Sequence, residues 1–286
     1  MNLVTNPDSG SHRRLGGKYK ISKKEIQQYH NLGYLVLNDV LTEAELETLD
    51  PWFDHFTAGK EMASMGKDFC DTSLPNNTML EEFQMVNAML PSKYRPELLN
   101  NVFHQIAQSI ADQLYTAGKA AIDYEQFLAK KPSKPGAELA MHQDLNYWPK
   151  TKNSWTATFS LSLTDSDLMN GCLQVIPGTN KETHLRKQVP KSSNDSKAYD
   201  VLNRDESPTL VVEMKDTDEV AFLPVKRGGM TIHDERIVHG LGGNDSLEWH
   251  KTYVVAFRDV ETIAEERAMG FTHSRNDEIN WDKIIH

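Results

Sequence analysis

Trp155-Thr156-Ala157-Thr158-Phe159-Ser160-Leu161-Ser162-Leu163 opens a series of β-rich runs that fills the second half of the chain. Leu173–Ile176, Thr209–Val212, Val220–Leu223, Met230–Ile232 and Thr252–Phe257 continue it, separated by glycine, proline, asparagine and aspartate. Short strands at this spacing read as a sandwich or barrel. Upstream the texture is helical. Ser22 with Glu25 forms a capping-box signal, and Ile26, Tyr29 and Leu32 recur at helical spacing until Gly33. A strand is expected at Tyr34–Leu37. Thr42 and Glu45 repeat the signal before a helix with Leu46, Leu49 and Phe53 on its apolar face, which Pro51 is expected to end or kink. The stripe Leu98, Val102, Ile106, Ile110 and Leu114 predicts a helix from Arg95 to Ala117.

Helices first and strands after predict an α+β fold with a mainly β core and the N-terminal helices packed on one sheet. One domain is expected over 21–260, preceded by a flexible arm over 1–20 and followed by a peripheral tail over 261–286. The polar stretch from Lys181 to Ser207 reads as a long loop or lid over a site. With 286 residues, 38% hydrophobic and 25% charged, the chain can bury a sizeable core, which excludes intrinsic disorder. Lys and Arg number 31 against 41 Asp and Glu, and the net charge of -10 has the wrong sign for nucleic acid or an anionic membrane. A small-molecule substrate is expected instead, for a monomer or small homo-oligomer. Cys70 and Cys172 give neither a disulfide framework nor a zinc ribbon, so a reducing compartment is expected. Met1 to Gly17 holds no apolar run of signal-peptide length, which fits a cytoplasmic location.

The chemistry is concentrated in Met141-His142-Gln143-Asp144. His142 and Asp144 are two apart and point to the same side of an extended strand. One imidazole and one carboxylate then converge, and a third neutral ligand would complete the facial triad that holds Fe(II) with open positions for a cosubstrate and dioxygen. Either His233 or His239 could supply it, both lying in Met230-Thr231-Ile232-His233-Asp234-Glu235-Arg236-Ile237-Val238-His239-Gly240. A surface pair on a strand would carry the same His-x-Asp letters.

Four separated segments, in order, carry a resemblance. His142-Gln143-Asp144-Leu145-Asn146-Tyr147-Trp148-Pro149 looks like a first metal motif followed by an aromatic pair, and Asn170-Gly171-Cys172-Leu173-Gln174-Val175-Ile176-Pro177-Gly178-Thr179-Asn180 resembles an N-G-x-L-x-V-x-P-G stretch. Gly229 through Ser246, with His239-Gly240 and Asn244, is similar to a distal-histidine segment, and Gln126 with Lys130-Lys131-Pro132 to the strand and turn that lead into the metal motif. Together they resemble the phytanoyl-CoA dioxygenase family of Fe(II)- and 2-oxoglutarate-dependent oxygenases over roughly Ile21 to Asp259. The resemblance implies a double-stranded β-helix, a jelly-roll or cupin-like barrel with the metal near one open end. It implies His142, Asp144 and His239 as metal ligands and catalytic centre, leaving His233 as a structural histidine. It also implies Fe(II), 2-oxoglutarate and O2 as cofactors, with succinate and CO2 formed as a C–H bond is oxidised. Asp144 favours oxygen transfer over halogenation, while ring closure and desaturation stay open.

The match departs at one position, because the Arg with which the family holds the distal carboxylate of 2-oxoglutarate is replaced by His250. A protonated His250 lacks the two-donor fork of Arg. Three readings follow: His250 with Ser160 binds the cosubstrate, Arg236 reaches in, or the cosubstrate differs. Gln126 is a further contact candidate, Lys251 points away by strand alternation, and Arg258 lies too far along its strand. Tyr147, Trp148 and Arg236 are substrate-pocket candidates. Lys130, Lys131 and Lys134 form either a solvated face or a neutraliser of an anionic substrate. Outside the leading reading stand a cupin-like metal enzyme that does not use 2-oxoglutarate and a non-catalytic metabolite-binding barrel.

Overall fold

The computed structural model describes residues 2–72, 74, 78–190 and 210–279. Its main strands are β1 (Asn2–Leu3), β2 (Tyr34–Leu37), β3 (Phe69–Cys70), β4 (Met85–Met89), β5 (Ala120–Lys130), β6 (Leu139–His142), β7 (Thr156–Ser162), β8 (Leu173–Ile176), β9 (Ala221–Leu223), β10 (Met230–Asp234), β11 (Val238–Leu241) and β12 (His250–Asp259). Its longer helices are α1 (Lys23–Leu32), α2 (Glu43–Thr57), α3 (Val102–Leu114) and α4 (Val260–Ala268). A seven-stranded sheet runs β2-β10-β7-β12-β5-β4-β3, and a five-stranded sheet runs β1-β9-β8-β11-β6. One cavity is lined from both sheets. Among the described residues no helix is long and apolar enough to cross a membrane.

The larger sheet has two chemically different faces because alternate residues of a strand point opposite ways. Phe127 on β5, Phe159 on β7, and Tyr253 and Val255 on β12 face outward into the main apolar core, where Tyr29, Leu49, Phe53, Phe56, Phe103 and Ile106 of α1 to α3 meet them. The intervening Gln126, Thr158, Ser160, Ser162, Thr252 and Val254 face the cavity. The N-terminal helices therefore pack on one sheet, as the sequence predicts.

Local chemistry sets the helix ends. The Ser22 hydroxyl accepts from the Glu25 amide while the Glu25 carboxylate accepts from the Ser22 amide, and Gly33 stops α1 at φ 83°, where a side chain would be strained. Pro51 does not end α2, which runs through it to Thr57. Leu46 and Leu49 before it and Phe53 and Phe56 after it are all buried, and that anchorage on both sides offsets the lost hydrogen bond. The third helix begins at Val102 rather than Arg95 and ends at Leu114 rather than Ala117. The Asn101 side chain caps the His104 amide there, and Leu98 belongs to a separate short turn after Pro96.

Two terminal expectations are overturned. The supposedly loose arm is built in: β1 pairs in parallel with β9, Tyr19 is 1% exposed, and Arg13 Nη1 donates to both carboxylate oxygens of Glu25. The described part of the supposedly peripheral tail, 261–279, packs into the protein, with Glu266, Phe271, His273 and Ser274 buried. Buried charges need partners, and Asp123 on β5 receives Arg258, Arg267 and His273 while Glu266 pairs with Arg258. Of the expected lid over 181–207, residues 191–207 lie outside the described residues; Gln188–Pro190, just before them, pairs antiparallel with Leu210–Val212.

Phe127 is the test of this packing, since its ring lies 5.1 Å from Phe53 and 4.5 Å from Tyr253. Phe127→Ala should lower the unfolding free energy by about 3–5 kcal/mol in urea denaturation. A loss under about 1 kcal/mol would place the core elsewhere.

Candidate metal centre

Strand register brings the centre together. On the five-stranded sheet β6 and β11 run antiparallel with His142 directly opposite His239. Such partners share a face, and the two imidazole centroids are 4.3 Å apart. β6 ends at His142, but Gln143 stays extended at φ -125°, ψ 124°, so the alternation carries Asp144 to the same side before a short 3-10 turn, Asp144–Tyr147. The Gln143 side chain points the other way, accepting from the Arg186 amide and donating to the Arg236 carbonyl.

Each histidine is fixed in one tautomer. The Nδ1 of His142 donates to the Ala140 carbonyl at 2.7 Å and that of His239 to the Ile237 carbonyl at 3.0 Å. Their Nε2 lone pairs consequently face Asp144 Oδ1, at 3.4 and 3.5 Å. Two lone pairs aimed at a carboxylate oxygen repel unless a cation lies among them. Burial keeps His239 well below its ordinary pKa, in the neutral form a ligand requires. Ligand atoms of the three residues all lie within 4.8 Å of one another. Two neutral imidazoles and one carboxylate on one side, each histidine braced by a carbonyl, fit divalent iron.

His233 differs from its reading as a satisfied structural histidine. It is 4% exposed, its ring lies 4.2 Å from that of His239, and its Nε2 is 3.4 Å from Asp144 Oδ2. Neither ring nitrogen completes a hydrogen bond. Asp123, Glu266 and His273 form a second acidic cluster, but Arg258 and Arg267 already balance it.

The cavity beside the centre has a volume of about 270 Å³. Gln126, Ser160, Tyr147, Trp148 and His250 all line it. Tyr147 meets the His142 ring edge-on at 5.7 Å, and Trp148 lies under the Arg258 guanidinium at 4.3 Å. Gln126 accepts from the Tyr124 hydroxyl at 2.6 Å. Arg236 is not brought in, because its guanidinium donates to the Glu182 and Asn180 carbonyls outside the cavity. Lys251 points outward to Asp54.

His250 lines the cavity without offering a proton. Its Nδ1 donates to the Asn170 carbonyl at 2.8 Å, which leaves Nε2 to accept from the Thr252 hydroxyl at 3.1 Å. Burial, reinforced by the neighbouring Lys130, pushes the imidazole down to about 3, so the protonated form expected to hold a carboxylate is absent near neutral pH. Lys130 is no solvated residue either, being 0% exposed. Sequence reading also missed His273 and Arg275, which reach the cavity from the chain after α4. They carry no local motif and arrive only through the buried charges that dock that segment.

A model of the phytanoyl-CoA dioxygenase (PhyH) family matches residues 29–252. A probable phytanoyl-CoA dioxygenase of Caenorhabditis elegans is 24% identical over 239 residues, covering 81% of this chain and 73% of that protein. The crystal structure of EvdO2 from Micromonospora carbonacea var. aurantiaca complexed with 2-oxoglutarate is similar at a TM-score of 0.65 and 21% identity, covering 84% of this chain and 92% of that one. EctD from S. alaskensis with 2-oxoglutarate and 5-hydroxyectoine is similar at a TM-score of 0.57 and 17% identity, covering 91% and 80%.

The ligand assignment predicts the outcome of anaerobic Fe(II) titration followed by metal analysis. His239→Ala should weaken binding by roughly 100-fold or more, while Arg236→Ala, outside the cavity, leaves it within about twofold. Equal affinity in wild type and His239→Ala would remove His239 from the centre.

Proposed function

Because the chain belongs to the phytanoyl-CoA dioxygenase family, we propose that it is an Fe(II)- and 2-oxoglutarate-dependent dioxygenase that oxidises a C–H bond of a small polar metabolite. The observation that carries this reading is the convergence of His142 Nε2, His239 Nε2 and Asp144 Oδ1 on one point beside the cavity. Iron and 2-oxoglutarate, when bound, supply the oxidation: the 2-oxo acid becomes succinate and CO2 while one atom of O2 goes to the substrate.

The protein's own residues hold, orient and shield. His142, His239 and Asp144 would occupy one side of the metal and contribute a single negative charge, leaving the other side for a bidentate 2-oxo acid. The Ala140 and Ile237 carbonyls keep both imidazoles aimed. Tyr147 braces His142, and Trp148, in contact with Arg258 and His273, forms an apolar edge of the cavity. A lining in which hydroxyls and amides such as Thr158, Ser160, Gln126 and Asn87 alternate with apolar residues suits a small metabolite with polar ends. The likeness to EctD, solved with 5-hydroxyectoine, and the net charge of -10 both favour such a substrate over a polyanion.

The facing sheets, with helices on the outer face of the larger, are read as a jelly-roll double-stranded β-helix forming one domain. The cytoplasm, a monomeric or small homo-oligomeric state, and no nucleic-acid or membrane partner complete the proposal. Hydroxylation is the reaction that needs least beyond these groups; ring closure and desaturation draw on the same oxidant.

Aerobic incubation with Fe(II), 2-oxoglutarate and ascorbate should release succinate slowly even without substrate. Asp144→Ala should reduce that release by at least 100-fold, as expected for loss of a ligand. Iron-dependent turnover of a metabolite with no succinate formed would favour the metal enzyme that does not use 2-oxoglutarate.

A further inference from the structure

Tyr124, Gln126 and Leu128 on β5 line the cavity, and Lys130 is the next residue of that inward row. It stands directly across from His250 on β12, so the two side chains enter the interior from the same face of the sheet. Lys130 is 0% exposed, and its Nζ donates to the carbonyls of Gly171 and Gly242. Those glycines flank the inner ends of β8 and β11. Carbonyl dipoles solvate an ammonium but do not neutralise it, and buried lysines are almost always paired with an anion. None of the described residues gives Lys130 a carboxylate, and burial pushes its ammonium down to about 7.

The position indicates which anion belongs there. Gly242 lies three residues beyond the ligand His239, roughly 10 Å of extended chain. A five-carbon dicarboxylate bridges that span once the metal–oxygen contact at one end and the hydrogen bond at the other are added. His250, beside Lys130, presents a lone pair and not a proton. Lys130 has three N–H donors, of which two are engaged.

We propose that Lys130 receives the distal carboxylate of 2-oxoglutarate, supplying from β5 the positive charge that His250 does not supply from β12. The inference rests on the reading of the chain as a 2-oxoglutarate-dependent enzyme.

The test compares 2-oxoglutarate with 2-oxovalerate, the same five-carbon 2-oxo acid ending in a methyl group. Each is titrated anaerobically into the Fe(II) enzyme and followed by the visible charge-transfer band of the chelate. Wild type should bind 2-oxoglutarate at least tenfold more tightly than 2-oxovalerate. Lys130→Met should bring that ratio close to one while 2-oxovalerate binds as before, and Lys130→Met with His250→Arg should restore the preference. Retention of the wild-type ratio in Lys130→Met would overturn the proposal, and so would equal weakening of both acids, the mark of a purely structural lysine. A ratio near one in wild type would overturn it without recourse to any variant. No band in wild type with either acid would instead overturn the reading of the enzyme on which the inference rests.

Discussion

The antiparallel register that sets His142 opposite His239 is the constraint from which the site follows. Side chains alternate with period two along a strand, so a slip of one residue between β6 and β11 would turn one imidazole out of the cavity. The register is held from both sides. β8 pairs Val175 with His239 across the other edge of β11, and the Gln143 side chain ties the end of β6 to the turn before β11. Gly171 is required nearby: it sits at φ 77°, and a Cβ there would lie 2.1 Å from the Gly242 carbonyl oxygen. That close approach sets side by side the two carbonyls that hold Lys130.

The larger sheet supplies the second half of the design through its two faces. Its outer side joins three helices in an aromatic core, which makes β5, β7 and β12 a rigid backing. Its inner side presents hydroxyls and amides to a cavity too small for a macromolecule. The segment after α4 then closes part of the wall by docking on the buried carboxylate of Asp123. Loss of a partner from such a buried network is costly, so this segment is fixed rather than loosely attached.

Much of this was legible in the chain, and what was not has a physical reason. His142, Asp144 and the helix caps are local signals, readable because the interacting atoms lie within a few residues. The choice of His239 over His233 needed the resemblance, since both are inward-facing histidines near one strand turn, and only the pairing partner distinguishes them. Pro51 misled because propensity is local while the apolar anchorage of α2 is tertiary. Lys130 looked like part of a solvated charge run because nothing in Lys130-Lys131-Pro132 reveals that β12 lies against it. His250 is readable as a departure from the family pattern, but its tautomer depends on Asn170, eighty residues away.

The central claim is that His142, Asp144 and His239 together bind the iron of this enzyme. Anomalous diffraction at the iron edge, from crystals grown anaerobically with Fe(II) and 2-oxoglutarate, tests it most directly. The account predicts one strong peak bounded by the two Nε2 atoms and the Asp144 carboxylate, with 2-oxoglutarate density extending from it toward Lys130. A peak at the Asp123, Glu266 and His273 cluster instead, or none at the triad, would contradict it.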